Sequence, residues 1–252
     1  MKKPREIIEA QSQKAFIHNV LIQHTDKRLS LTEIKTILYI ISKIKPNDKP
    51  NEEYTFSIKE FCQACNYKET GSGNRFEYVR DVLKELRKKD IVIHPTENTT
   101  LITGWFAEAE LIKDRNEVII SFANKVKPYL FNLTKNFTDI WLECVLPMKS
   151  LYGVLLFMYL SSVKYKGFKH TLELDELRRL MGCQGKYEQS SDIRKYIIEP
   201  ALKDINTFTD LEVSYKFGKS GRKVVNVKFD VAPTAYDYHK RLFNRSKALG
   251  QR

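Results

Sequence analysis

The stretch QSSDIRKYII, residues 189–198, decides the fold because it has the pattern of a polar, basic helix start. Either Ser190 or Ser191 can cap the first free amides of such a helix. Helical spacing predicts a stripe of residues that face a core: Ile193, Tyr196 and Ile197. The same spacing leaves Arg194 and Lys195 on the solvent side. We therefore expect a helix whose start presents polar and basic side chains outward.

A predicted β-hairpin follows this helix. Apolar and polar residues alternate over 211–217 and again over 225–231, which indicates two half-buried strands. The turn GKSGRK between them, residues 218–223, carries three cations. Helix starts of this kind enter the major groove of DNA, and basic hairpins beside them hold phosphates. The combination is typical of a winged helix, a variant of the helix-turn-helix.

Composition narrows the class of protein. The chain has 252 residues, a net charge of +12 and 42% apolar residues, so we expect two folded domains and a polyanionic partner. A basic surface that only confers solubility is the alternative. The start lacks an apolar signal-peptide core, and the apolar run at 152–160 is too short to span a bilayer. Four scattered cysteines suggest reduced thiols. We expect a cytoplasmic protein with no membrane association.

The first half of the chain alternates helical and extended patterns. Ser30 and Glu33 form a capping box that opens a core helix, and Pro46 is expected to stop it. Residues 6–24 read as a helix that passes into an apolar segment of undecided type. The remaining predicted elements are a strand at 54–56, helices at 57–65 and 74–89, and strands at 91–94, 101–113 and 117–122.

The second half repeats the pattern of the first. Ser150-Leu151 matches Ser30-Leu31, and Leu202-Lys203-Asp204-Ile205 matches Leu83-Lys84-Glu85-Leu86, at offsets between 116 and 120 residues. The prediction is an α+β chain with two tandem winged-helix domains related by an internal pseudo-two-fold repeat. We place the boundary near Thr134, which gives domains at 1–133 and 134–232 and a basic tail at 233–252.

One run carries a family resemblance. YIIEPALKDIN at 196–206, followed by Thr209-Asp210 and by GRKV at 221–224, resembles the initiator family that starts replication of iteron-bearing bacterial plasmids. The similarity covers roughly residues 29–231 and is strongest in the second half. Many members place an arginine and a glutamate in the helix after Ser150, where this chain has Leu155 and Met158. That departure weakens any surface role for this helix but not the fold.

The resemblance implies a non-enzymatic initiator that binds directly repeated sites in double-stranded origin DNA, opens the nearby duplex and recruits the host helicase. It also implies a homodimer in one state, and repression of the protein's own gene at an inverted repeat. In the second domain, the implied DNA-binding residues of the helix are Gln189, Ser190, Ser191, Arg194 and Lys195. Those of the wing are Lys216, Lys219, Ser220, Arg222 and Lys223. In the first domain, the parallel candidates are Arg75, Tyr78, Arg80 and Lys84.

Residue patterns for other chemistry are weak. Cys62 and Cys65 have the spacing of half a zinc site, but no second pair follows, and core packing is the better interpretation. GCQGK at 182–186 lacks the spacing of a phosphate-binding P-loop. We expect no metal and no cofactor. Two alternatives stay open: a tandem winged-helix transcriptional repressor without an initiator role, and a DNA-processing enzyme.

Overall fold

The chain forms two compact units, and each is described by itself. A computed structural model describes residues 13–26, 29–45, 47–65, 67 and 74–233. One unit spans Ala10–Leu146 and the other contains Pro147–Arg252; we call them the N-terminal and C-terminal units. The predicted boundary near Thr134 lies too early. Residues Phe137–Trp141 form a strand that pairs with Lys14–His18, and this pairing keeps them in the N-terminal unit.

The N-terminal unit has a helical layer and three small antiparallel sheets. Its helices are α1 (Asn19–Gln23), α2 (Leu31–Ile41), α3 (Ile58–Ala64), α4 (Arg75–Arg87) and α5 (Leu142–Val145), with a short 3₁₀ turn at Lys127–Tyr129. Its strands are β1 (Lys14–His18), β2 (Tyr54–Ser57), β3 (Ile91–Thr96), β4 (Thr99–Thr103), β5 (Phe106–Ile112), β6 (Glu117–Phe122) and β7 (Phe137–Trp141). The sheets pair β1 with β7, β3 with β4, and β2, β6 and β5 in that order.

Local signals set the helices of this unit. The Ser30 hydroxyl accepts a bond from the Glu33 amide, and the Glu33 carboxylate accepts one from the Ser30 amide, so the predicted capping box is confirmed. However, α2 ends at Ile41, before the residue expected to stop it. The apolar segment of undecided type begins in the strand β1 and continues into the helix α1, so the preceding helix does not extend to residues 14–18; residues 6–12 lie outside the described residues.

An aromatic cluster fills the N-terminal unit. The Tyr39 ring packs edge-on against Phe56 and Phe61, with ring centroids 5.6 and 5.3 Å away. Burial of large rings contributes more to stability than any surface contact, and edge-to-face pairs add to it. Cys62 is buried beside them on α3. The N-terminal unit therefore has its own hydrophobic core.

The C-terminal unit has one three-stranded sheet covered by helices. Its elements are α6 (Leu151–Val163), a 3₁₀ turn (Lys164–Lys166), β8 (Lys169–Glu173), α7 (Leu174–Leu180), α8 (Ser190–Asp192), a π-helical segment (Ile193–Ile198), α9 (Glu199–Phe208), β9 (Leu211–Ser220) and β10 (Lys223–Pro233). The strand order is β8-β10-β9, all antiparallel. The predicted basic tail lies outside the described residues, apart from Pro233.

The helical stretch at 190–208, which we call the reading helix, changes its period in the middle. Proline lacks an amide hydrogen and its ring collides with the carbonyl four residues earlier, so Pro200 cannot continue an α-helix. The π-helical segment just before Pro200 widens the turn, and α9 starts afresh with Pro200 in its first turn. The wider turn buries Ile193, Ile197 and Ile198 and leaves Tyr196 outside. Helical spacing predicted Tyr196 in the core, and this was wrong.

A buried carboxylate joins two helices of the C-terminal unit. Asp204 on α9 accepts bonds from the amides of Lys149 and Ser150 at 2.7 and 2.6 Å, at the start of α6. Gly153 makes room for it, since a Cβ there would lie 3.1 Å from the Asp204 Cβ. This contact holds α9, the second half of the reading helix, against α6.

The two units repeat one order of elements, as predicted. In the N-terminal unit the order is α2, β2, α3, α4, an extra hairpin of β3 and β4, and then the strand pair β5–β6. In the C-terminal unit it is α6, β8, α7, the reading helix and then β9–β10. In both units the first strand pairs with the last one. Helix, strand, two helices and a hairpin are the parts of a winged helix, so the predicted fold class is confirmed.

Candidate nucleic-acid interface

The start of the reading helix lies at the surface, but its cap differs from the prediction. Gln189 is the N-cap residue, and neither Ser190 nor Ser191 caps the helix. The Ser191 hydroxyl instead donates to the Gln189 side chain at 3.3 Å. Ser190 lies inside the first turn and is half-buried, whereas Gln189 and Ser191 are exposed. A serine one residue inside a helix has the same local sequence signal as a capping serine, which explains the error.

Arg194 and Lys195 are exposed next to this helix start, as predicted. The Arg194 guanidinium lies 5.7 Å from the centroid of the Phe217 ring on β9. Burial raises the pKa of Tyr215 on the same strand, and the charge of Arg194 acts in the opposite direction. The Arg194 side chain therefore extends from the reading helix toward the wing. A cation held over a ring in this way has fewer conformations to lose when it binds.

Tyr196 adds an aromatic surface that the sequence pattern did not reveal. Its side chain is 45% exposed. Its ring stacks on Tyr187 with centroids 5.5 Å apart, and the Lys195 ammonium lies 5.0 Å from the ring of Tyr196. The π-helical segment causes this exposure, and Pro200 was the only signal for it in the sequence.

The wing is the hairpin of β9 and β10. All five predicted wing residues are exposed: Lys216, Lys219, Ser220, Arg222 and Lys223. Its turn is shorter than the predicted one and consists of Gly221 and Arg222, with Gly221 at φ 59°. Gly218 faces Asn226 so closely that a Cβ there would lie 1.9 Å from the Asn226 Oδ1. The two strands therefore stay paired up to the turn, so the cations at the tip lie away from the core.

A hollow with a volume of about 590 Å³ is lined by α7, by the turn and start of the reading helix, and by the first residues of β10. Lys186, Lys223 and Ser190 line it, and so do three acidic residues: Glu173, Asp175 and Glu188. Lys186 was not among the predicted DNA-binding residues. Its position in the short turn between two helices is the signal that would have identified it.

The parallel candidates of the N-terminal unit lie on α4 and are arranged differently. Arg80 and Lys84 are exposed, but the Arg80 guanidinium forms an ion pair with Asp81 at 2.9 Å. Arg75 and Tyr78 are half-buried, and the Tyr78 ring stacks on Tyr67 at 4.0 Å. The structure thus brings these four residues onto one helix, with two of them open to solvent.

The described residues provide little for other chemistry. All four cysteines are free thiols, and burial raises the pKa of Cys65 to about 12, which disfavours a reactive thiolate. Within the ranges that the structure covers, no cluster of three or more histidine, cysteine or acidic side chains is arranged to hold a metal ion. None of the helices described is long and apolar enough to cross a bilayer.

Comparison with known proteins also divides the chain into two regions, although the first one extends past Leu146 into α6. A family model for the first winged helix of the initiator replication proteins matches residues 15–161, and a model for the second winged helix matches residues 173–231. An uncharacterized 27.6 kDa protein of Escherichia coli is 23% identical over 178 residues, which cover 69% of this chain and 73% of that protein.

Two solved structures are similar. A crystal structure of the Pi initiator protein in complex with iteron DNA has a TM-score of 0.71 and 16% identity, covering 90% of this chain and 99% of that chain. This match shows the same fold. A structure of domains 2 and 3 of RctB has a TM-score of 0.49 and 15% identity, with 82% and 84% of the two chains covered.

Proposed function

We propose, from the premise that this chain belongs to the initiator replication protein family, that it binds directly repeated sites in origin DNA and starts replication there. The observation that carries the proposal is the exposed start of the reading helix beside a wing whose tip is basic. The Pi initiator, which has the same fold, was crystallised with iteron DNA.

The reading helix supplies base recognition in this proposal. Its first turn enters the major groove, where Gln189, Ser190, Ser191 and Lys195 are within reach of base edges. Arg194 is the principal reader, because a guanidinium can donate to the O6 and N7 atoms of one guanine at the same time. Its contact with the Phe217 ring supports this role, since it orients the side chain before DNA is bound.

The wing supplies affinity that does not depend on sequence. Lys216, Lys219, Ser220, Arg222 and Lys223 bind phosphates, and release of the counterions on those phosphates drives binding. Lys186 lies beside Lys223 at the edge of the hollow and adds a further cation near the wing. These contacts weaken steeply as salt concentration rises.

The N-terminal unit has a second role in the proposal. Arg75, Tyr78, Arg80 and Lys84 on α4 form a weaker DNA contact, and this unit also provides the homodimer contact in one state of the protein. Opening of the duplex and recruitment of the host helicase follow binding, and the protein represses its own gene at an inverted repeat. The protein acts in the cytoplasm as a DNA-binding protein and not as an enzyme.

Plasmid maintenance tests the proposal. Deletion of the gene from a plasmid that carries directly repeated sites next to it should abolish replication, and supply of the protein from a second replicon should restore it. The purified protein should bind the direct repeats. If only an inverted operator were bound and the plasmid replicated without the protein, the chain would be a repressor. Nicked or covalently linked DNA after incubation with Mg²⁺ would point to a DNA-processing enzyme.

A further inference from the structure

The turn that leads into the reading helix is held by one arginine of α7. The Arg178 guanidinium donates to the backbone carbonyls of Tyr187 and Glu188, at 3.1 and 3.2 Å, and to the Asp175 carboxylate at 2.7 Å. Its side chain is only 16% exposed, whereas the Asp175 side chain is 97% exposed. A planar guanidinium with several donors suits such a set of acceptors, and a lysine cannot reproduce it.

The residue that Arg178 holds has a strained backbone. Tyr187 has φ 54°, in the left-handed region that bulky side chains rarely occupy. Such a conformation costs free energy and persists only where surrounding contacts impose it. The contacts here are the bond from Arg178, the stack of Tyr187 on Tyr196, and a bond from the Tyr152 hydroxyl to the Tyr187 hydroxyl at 3.4 Å.

These contacts connect the turn to the first residues of the reading helix. Glu188 precedes the N-cap residue Gln189, so a fixed Glu188 carbonyl also fixes where the helix starts. The stack of Tyr187 on Tyr196 attaches the same turn to the next part of the helix. The Arg178 side chain lines the same hollow as Lys186 and Lys223, but it is largely buried and donates to three protein acceptors.

We propose that Arg178 is a positioning residue that sets the start of the reading helix before DNA arrives. The proposal rests on the proposed function, because it assigns Arg178 to sequence recognition at the same interface. A preformed helix start loses less conformational entropy on binding than a mobile one, and base contacts need that precision more than phosphate contacts do.

The corresponding position of the N-terminal unit holds a different residue. In the internal repeat Arg178 corresponds to Cys62, which is buried in the core of that unit. The stacked pair is present in both units, as Tyr67 with Tyr78 and as Tyr187 with Tyr196. In the C-terminal unit, Arg178 also bonds to the backbone of a stacked tyrosine, and this is the unit with the basic wing.

The test compares Arg178→Ala and Arg178→Lys with the control Lys203→Ala in the full-length protein. Lys203 is exposed on α9, and its replacement removes the same charge as Arg178→Ala. Affinity is measured for the direct repeats beside the gene and for scrambled duplex, over a range of salt concentrations. Amide hydrogen exchange at residues 187–192 is measured without DNA.

For both Arg178 variants we expect the preference for repeats over scrambled duplex to fall about tenfold, because hydrogen bonds to a charged group are lost. The slope of log affinity against log salt should stay unchanged, and amides 187–192 should exchange faster. Arg178→Lys retains the charge and serves as the second variant if Arg178→Ala does not fold. Lys203→Ala should leave the preference and the exchange unchanged.

A salt slope reduced by about 0.9 in Arg178→Ala, with unchanged preference, would overturn the proposal and make Arg178 a phosphate contact. Unchanged exchange at residues 187–192 would also overturn it. If the wild-type protein showed no preference for direct repeats, the proposed function would fail, and the exchange measurement would still decide whether Arg178 sets the helix start.

Discussion

The two winged-helix units share one order of elements but differ in the charge of their hairpins. In the C-terminal unit, the segment 211–233 carries five cations and two carboxylates. In the N-terminal unit, the corresponding segment 106–122 carries four carboxylates and two cations. Backbone order alone therefore does not make a DNA-binding wing. If the protein binds DNA as proposed, we expect the C-terminal unit to supply most of the phosphate affinity.

The units also differ in how they complete the start of their first long helix. In the N-terminal unit the Glu33 carboxylate bonds to the Ser30 amide within α2 itself, and the Lys89 ammonium lies 2.6 Å from it. Burial alone would raise the pKa of Glu33, but the bonds from Lys89 and Ser30 lower it. In the C-terminal unit the carboxylate comes from Asp204, on a different helix. The amide of the N-cap serine thus donates to a carboxylate of its own helix in one unit and to a carboxylate of another helix in the other unit.

Removal of the wing charges should give the largest effect. The triple variant Lys219→Ala, Arg222→Ala, Lys223→Ala should bind every duplex about 100-fold more weakly at physiological salt, and its salt slope should fall by about 0.9 per cation removed. Fluorescence anisotropy with repeat and scrambled duplexes, over a range of salt concentrations, measures both quantities.

The matched control is the N-terminal double variant Lys113→Ala, Arg115→Ala, from the tip between β5 and β6. We expect its affinity to change less than about threefold, because neighbouring carboxylates already offset these cations. A larger loss from this double variant than from the wing variant would reverse the comparison between the units.

Asp204→Ala should have the next largest effect, on stability. The substitution removes a buried carboxylate and leaves the partly buried amides of Lys149 and Ser150 without their acceptor, so the free energy of unfolding should fall by about 2 kcal/mol. Urea denaturation followed by circular dichroism measures it. The control Glu212→Ala removes an exposed carboxylate from the same unit and should change stability by less than about 0.5 kcal/mol. Equal effects of the two variants would show that the bond between α9 and α6 is unimportant.

The smallest expected effect is on the pH dependence of the unfolding free energy, and it should have the same direction in both units. Burial lowers the pKa of His18 in one unit and of His170 in the other. Because each folded pKa is lowered, the folded state binds fewer protons than the unfolded state as pH falls. The contribution of each neutral histidine to the unfolding free energy is therefore complete above the unfolded pKa of about 6.5 and is lost as pH falls below it. Each histidine should contribute less than about 1 kcal/mol. His18→Gln and His170→Gln should each flatten the dependence of unfolding free energy between pH 7 and 5. A steeper dependence in either variant would contradict the direction of its pKa shift.

Local patterns in the sequence predicted most of the fold. The capping box at Ser30, the amphipathic α4 and the alternation in β9 and β10 all depend on neighbours within a few residues, and all three were found. The exposed positions of Arg194 and Lys195 were predicted for the same reason. The errors depend on contacts that a local pattern does not contain. The domain boundary was placed too early because β7 pairs with a strand at the other end of its unit.

The candidate site was predicted less completely than the fold. Tyr196 was assigned to the core because regular helical spacing was assumed. In the structure it lies within the π-helical segment that precedes Pro200. Arg178 was not identified, since two of its three acceptors are backbone carbonyls nine and ten residues away. Backbone acceptors leave no residue-type signal in the sequence, so a structure was needed to find this contact.

The most direct test of the division of labour compares one arginine from each unit. Preference for direct repeats over scrambled duplex is measured for Arg194→Ala on the reading helix and for Arg80→Ala on α4. The account predicts that Arg194→Ala lowers this preference by about tenfold or more, since a bidentate base contact contributes about 1–3 kcal/mol of discrimination. Arg80→Ala should change it less than twofold, because Asp81 already pairs with that guanidinium. A loss of preference in Arg80→Ala with none in Arg194→Ala would contradict the account.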